Sequence, residues 1–238
     1  MRESATDLLV HLAAESNITD ILVGLHAKTP DHPLFSLKSD GGWKNVSAND
    51  FLTQVSELAK GLIGQGVRPG DSVAVMSKTS YEWTLVDLAV WFAGAVTVPI
   101  YETSSPSQVE WILEDSGAAH VFVEDARKAA VVSAAAASGD FEARVWLMQA
   151  DGAEGTFAEL TAAGSAVTDD ELETARTTAG LDSVASMVYT SGTTGRPKGC
   201  EITHGNFALF GVNIVEFLPE MLKEKDVSTL MFLPLAHV

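Results

Sequence analysis

An α/β fold is predicted: a doubly wound, mostly parallel sheet with helices on both faces. Three observations predict it. Apolar runs of about five residues recur: SVAVM at 72–76, VTVPI at 96–100, HVFVE at 120–124 and RVWLM at 144–148. Longer segments of helical periodicity separate them. Glycine and proline punctuate the joins, as in VRPGD at 67–71. Short strands alternating with long helices make a parallel sheet. At 238 residues, 46% hydrophobic and 20% charged, the chain can bury its own core.

The elements follow in order from residue 48. Ser47 is placed to cap a helix over roughly 49–65, where Phe51, Val55, Leu58 and Leu62 share one face and Gly64 and Gly66 end it. After the strand at 72–76, a second helix is expected over 80–94, then the strand at 96–100. Pro106 suits the first turn of a third helix, SPSQVEWILEDSG, which stops at Gly117. The strand at 120–124 follows, then a helix through the alanine-rich 126–137, then the strand at 144–148. Trp83, Trp91 and Trp111 read as core on apolar helical faces, and Glu102 and Asp115 as solvated. Residues 149–183 hold Gly152, Gly155, Gly164 and many acids, and read as a polar excursion over the surface. Within them, Thr168 and Glu171 form a capping box for a short helix. VASMVY at 184–189 is again a strand. A helix is expected from His204 or Gly205 to about Phe217, and STLMFL at 228–233 as a last strand.

The net charge is −17. Such a surface repels phosphate backbones, so no nucleic-acid partner is expected, and an anionic ligand needs a local positive site. The acidic segment 3–15 argues against anionic membranes, although peripheral membrane contact stays open. The single Cys200 allows no internal disulfide and fits a cytoplasmic location; it reads as a small residue beside a loop. MRESATD has no signal-peptide character, and the apolar stretch 88–101 is too short to span a bilayer. His11, His26, His32 and His120 show no metal-ligand spacing, and His204 reads as a helix-start residue.

The chemistry concentrates at 190–199, TSGTTGRPKG, directly after the strand 184–189. Open α/β sheets bind ligands at the carboxyl ends of their strands. Gly192, Gly195 and Gly199 let backbone N–H groups approach a ligand, and successive N–H groups form an anion nest. Thr190, Ser191, Thr193 and Thr194 add hydroxyls, which are also hard ligands suited to magnesium. Lys198 supplies a point charge and Arg196 a fork of donors. The composition suits a polyphosphate. A Walker A loop is excluded, because Pro197 rather than glycine precedes Lys198. A flexible glycine-threonine linker is the alternative on composition alone.

Tyr189-Thr-Ser-Gly-Thr-Thr-Gly-Arg-Pro-Lys-Gly199 resembles the signature of the adenylate-forming superfamily, which holds acyl-CoA synthetases, luciferases and peptide-synthetase adenylation domains. Leu233-Pro-Leu-Ala-His-Val238 resembles the next motif of that superfamily, and 85–101 an earlier structural one. The segment 98–125 is similar to long-chain fatty-acid–CoA ligases, and the Asp-Pro-Xaa-Tyr-Pro pattern of peptide-synthetase domains is absent.

The resemblance implies an AMP-forming ligase. ATP and a fatty acid give an acyl-adenylate and pyrophosphate, and coenzyme A then takes the acyl group. It implies that Thr190, Ser191, Gly192, Thr193, Thr194, Gly195 and Lys198 surround the phosphates, with Thr193 on Mg²⁺. Pro197 and Gly199 would shape the loop. Lys198 and His237 would be catalytic, His237 near the substrate carboxylate and the α-phosphate. It also implies that the chain is the N-terminal part of a large domain, with 1–183 a first α/β subdomain and 184–238 the start of a second. A C-terminal domain is absent, so the chain is expected to be inactive alone. A non-catalytic anion-binding module and a ligase for an aryl or short-chain acid are the alternatives. Acyl chain length and oligomeric state stay open.

Overall fold

The computed structural model describes residues 7–139, 141–149, 155–190, 196–223, 227–231 and 233–237. Helix α1 (Thr19–Lys28) leads into a hairpin of β1 (Pro33–Ser39) and β2 (Gly42–Ser47). The regular pattern read from residue 48 had passed over this hairpin. Asp40-Gly41-Gly42 is its turn signal, and Gly42 has a φ of 127°, open to glycine. Phe35 anchors the hairpin against Phe51 and Tyr81, with ring centroids 4.8 and 5.3 Å away.

Helix α2 (Ala48–Gly64) starts at the predicted cap: Ser47 Oγ accepts from the Asp50 N–H, and Asp50 reaches back to the Ser47 N–H. The expected Phe51, Val55, Leu58 and Leu62 are all buried. Strand β3 (Ser72–Met76), helix α3 (Tyr81–Phe92), strand β4 (Val96–Ile100), helix α4 (Pro106–Ser116), strand β5 (His120–Val123), helix α5 (Ala126–Ser138) and strand β6 (Arg144–Leu147) follow the expected order. Gly117 ends α4 in the left-handed conformation.

These strands join β7 (Val184–Thr190) and β8 (Lys198–Thr203) in one sheet of order β6-β5-β3-β4-β7-β8. Every pairing is parallel except β7 with β8. Alternation along β3 builds two core layers. Val73 and Val75 face α2 and α3, while Ala74 and Met76 face α4 and α5. Helices therefore cover both faces. The division at 183/184 does not fall at a sheet boundary, since β7 pairs with β4.

Residues 149–183 are not a polar excursion. Among them, α6 (Phe157–Ala163) and α7 (Asp169–Arg176) bury Leu160 and Leu172 in the core around α2 and α3. The close approach needs glycine: a Cβ on Gly61 would lie 2.4 Å from the Leu160 carbonyl oxygen, and one on Gly164 2.5 Å from the Gly61 nitrogen. Arg176 is buried and paired with Asp20 at 2.6 Å and Glu173 at 2.7 Å. The acids of α7, Asp169, Asp170, Glu171 and Glu173, are exposed on its outer side. Thr168 and Glu171 do form the expected capping box.

Helix α8 (His204–Phe217) has the expected bounds, and a short α9 (Pro219–Leu222) follows. The strand expected at 228–233 is not formed among its described residues. They pair with no neighbouring strand, and Leu230 and Leu233 are exposed.

Candidate functional site

Strand β7 runs parallel to β4, so it delivers Thr190 to the carboxyl end of the sheet. The chain then turns back as β8, antiparallel, with Lys198 opposite Thr190. The sequence had led straight from the loop to a helix. KGCEIT is too polar to announce a strand, yet as an edge strand it needs only one neighbour. Ser191, Gly192, Thr193, Thr194 and Gly195 lie outside the described residues. The two predicted phosphate groups that are described, Thr190 and Lys198, face each other across the mouth of the hairpin, both exposed. Among the described residues, no ion pair or hydrogen bond engages the Lys198 ammonium. In a chain of net charge −17, it is an uncommitted cation at the strand ends.

Helix α4 grips both flanks of this hairpin. The Tyr189 hydroxyl donates to Asp115 Oδ2 at 2.7 Å. Burial, reinforced by the Asp115 carboxylate, pushes the Tyr189 phenol well above its ordinary pKa, so it stays a donor. Trp111 Nε1 donates to the Pro197 carbonyl oxygen at 2.8 Å, and the Arg196 guanidinium lies 4.7 Å from the Trp111 ring centroid. Two readings are corrected here. Asp115 is partnered rather than merely solvated, and Trp111 reaches the loop flank from the edge of the core. Gly199 sits opposite Tyr189, where an added Cβ would meet Met187 at 2.9 Å and the Tyr189 ring at 3.3 Å. Its place in the hairpin is steric, as expected. Cys200 lies exposed on β8 beside this mouth.

The second motif comes to the same end of the sheet. The Thr79 hydroxyl, just beyond β3, donates to the Leu233 carbonyl oxygen at 2.6 Å and accepts from the Leu235 N–H at 3.0 Å. Leu235–His237 form a single 3₁₀ turn packed beside β4, with Ala236 buried in the core. Strand β4 thus neighbours both motifs, through its pairing with β7 and its packing against this turn. The His237 side chain lies outside the described residues. Thr79 carries no pattern that would mark it in the sequence, because its role depends on a partner 154 positions away.

Two other titratable groups stand out: Asp87, half-buried, and His204, buried at the opposite end of β7 from Thr190. Asp87 of α3 accepts from Trp83 Nε1 at 3.1 Å, and desolvation pushes its carboxyl up to about 7, against the opposing hydrogen bond of Trp83. His204 opens α8 beneath the cap made by Thr203 and packs its ring edge-on against Trp91, 6.2 Å between centroids. Burial pushes it down to about 4, which keeps it neutral. It is a helix-start residue, as expected.

The AMP-binding enzyme family matches residues 25–238. The chain belongs to the AMP-binding enzyme family. Among its relatives is the long-chain-fatty-acid–CoA ligase FadD15 of Mycobacterium bovis, 37% identical over 239 aligned residues. That alignment takes in 100% of this chain and 39% of the relative. A feruloyl-CoA synthase of Amycolatopsis sp is 36% identical over 188 residues, 79% of this chain and 34% of the relative. The chain therefore spans well under half the length of the curated relatives it matches. In fold it is similar to apo MatB from Rhodopseudomonas palustris, with TM-score 0.66, 24% identity, 86% of this chain and 38% of that one. It is also similar to the o-succinylbenzoate CoA synthetase of Bacillus subtilis in complex with its acyl-adenylate intermediate. There the TM-score is 0.65 at 22% identity, over 90% of this chain and 49% of that one.

Proposed function

We propose that this chain supplies the polyphosphate-holding part of an AMP-forming long-chain fatty-acid–CoA ligase. The reaction would join a fatty acid to the α-phosphate of ATP, release pyrophosphate, and pass the acyl group to the thiol of coenzyme A. The observation that carries the reading is the hairpin mouth. Lys198, whose ammonium has no partner among the described residues, faces Thr190 at the carboxyl end of β7, and the turn that ends at His237 packs beside the neighbouring β4.

The first step brings two anions together, so positioning and charge stabilisation dominate its catalysis. Lys198 would neutralise charge growing on the departing pyrophosphate. Ser191, Gly192, Thr193, Thr194 and Gly195 would offer N–H and hydroxyl donors around the phosphates. His237 would lie by the reacting carboxylate. Among the described residues, no three His, Cys, Asp or Glu side chains cluster as a metal site. The hydroxyl-rich loop fits Mg²⁺ carried mainly by phosphate oxygens, with Thr193 as its protein ligand. When bound, the ion would screen phosphate charge. The single cysteine makes a reducing cytoplasm the proposed compartment.

Likeness to the feruloyl-CoA synthase favours a second reading, a ligase for an aryl acid. A panel of fatty and aryl acids offered to the complete enzyme separates the two. For this chain, titration calorimetry with Mg²⁺·pyrophosphate is the direct test. Lys198→Ala is expected to weaken binding about tenfold or more, as for a lost charge-assisted hydrogen bond. Equal binding by parent and Lys198→Ala would overturn the reading. The chain alone is expected to show no fatty-acid-dependent ATP–pyrophosphate exchange, and a robust rate would refute that part.

A further inference from the structure

Helix α4 carries Trp111 and Asp115 one turn apart, on one face. Each reaches a different flank of the hairpin mouth. Asp115 holds Tyr189, one residue before Thr190; Trp111 holds the Pro197 carbonyl, one residue before Lys198, and also carries the Arg196 guanidinium. We propose that Trp111 and Asp115 are positioning residues for polyphosphate binding, making α4 a clasp that fixes the two flanks from which Thr190 and Lys198 act. The proposal rests on the reading of this hairpin as a polyphosphate site.

The physical case has three parts. First, β8 is the edge of the sheet, so it has a strand neighbour on one side only. Thr190 and Lys198 form its last register pair, beside the connecting segment, so the ladder holds them from one direction only. Contacts from α4 hold that pair from outside the ladder. Second, the clasp contacts join segments far apart in the sequence. Trp111 donates to the Pro197 carbonyl across 86 residues of sequence, and Tyr189 donates to Asp115 across 74. Third, the clasp sorts the two cations. Arg196 lies over the Trp111 ring, while among the described residues nothing engages the Lys198 ammonium. Arg196 is therefore assigned to the clasp, not to the phosphates. Ordering the flanks before the ligand arrives lowers the entropy lost on binding.

The test titrates Mg²⁺·pyrophosphate into the parent chain and its variants, with thermal unfolding measured on each. Trp111→Phe keeps a ring beneath Arg196 but loses the indole donor, and is expected to bind about three- to tenfold more weakly at unchanged Tm. Asp115→Ala should weaken binding by a similar factor. Asp115→Asn keeps an oxygen that accepts from Tyr189 and should restore parent affinity. Asp115→Ala with Tyr189→Phe should be no weaker than either single change, because both remove one contact. If Lys198→Ala weakens binding while Trp111→Phe and Asp115→Ala bind like the parent, the clasp falls and the loop reading stands. Should the parent not bind, or Lys198→Ala bind equally, the loop reading falls and takes the clasp with it. Affinity losses that track losses in Tm, without rescue by Asp115→Asn, mean a purely structural contact and also overturn the proposal.

Discussion

A single methyl group added at Gly199 has no free space. It would arrive 2.9 Å from Met187 Cγ and Sδ and 3.3 Å from Tyr189 Cζ. Methionine can swing aside, but the tyrosine ring is tied to Asp115. Gly199→Ala is therefore expected to move Tyr189 off its acceptor and weaken pyrophosphate binding several-fold; an unchanged affinity in calorimetry would count against it. His204 makes a different prediction. Its folded pKa, about 4, lies below the 6.5 of the free side chain, so the unfolded chain binds the extra proton first. Its effect on stability is absent at neutral pH and grows as pH falls below 6.5. Between pH 7 and 4.5 the expected loss is on the order of 2–3 kcal/mol. His204→Leu should remove that loss, so its stability relative to the parent should rise over this window in urea titrations. These roles were unevenly legible. The glycine- and hydroxyl-rich run announced the loop, because ligand-binding backbone needs those residue types. Nothing local announced Trp111 or Asp115, whose partners lie 86 and 74 positions away.

Among elements, β3, β4 and β5 were readable because strands buried on both faces appear as unbroken apolar runs. Strand β8 was not, since an exposed edge strand carries no such run. Helices α6 and α7 were hidden by their outward-facing acids, although Gly61 and Gly64 inside α2 marked a close neighbour. That neighbour sets the sign of a pair of substitutions. Alanine normally stabilises an exposed helix interior over glycine by about 1 kcal/mol. At Gly24 of α1, an added Cβ meets nothing within 4 Å, so Gly24→Ala should raise stability by about that amount. At Gly61 the same change drives a methyl onto the Leu160 backbone at 2.4 Å, and backbone cannot swing away. Gly61→Ala should cost roughly 1–3 kcal/mol through overpacking. Chemical denaturation of both variants checks the pair; destabilisation by Gly24→Ala, or gain by Gly61→Ala, would contradict the packing of α6 on α2.

Across the whole molecule, charge and apolar surface act against each other. The chain carries −17, which keeps copies apart at low ionic strength. Yet α8 buries only His204, Gly205 and Ala208, while Phe210 and Phe217, seven residues apart on one face, are 71% and 67% exposed. Met221, Leu230 and Leu233 are exposed further along. Repulsion between like charges is screened by salt, with a Debye length of about 3 Å at 1 M, whereas apolar association is not. The chain should therefore sediment as a monomer in dilute buffer and associate as salt is raised toward 1 M. Replacing Phe210 and Phe217 with glutamate should abolish that association. Because both rings are already in water, Tm should not fall. A drop in Tm in the double variant would show that α8 packs more deeply than its exposure indicates. Salt-independent sedimentation of the parent would show that the charge, not the exposed face of α8, governs its state.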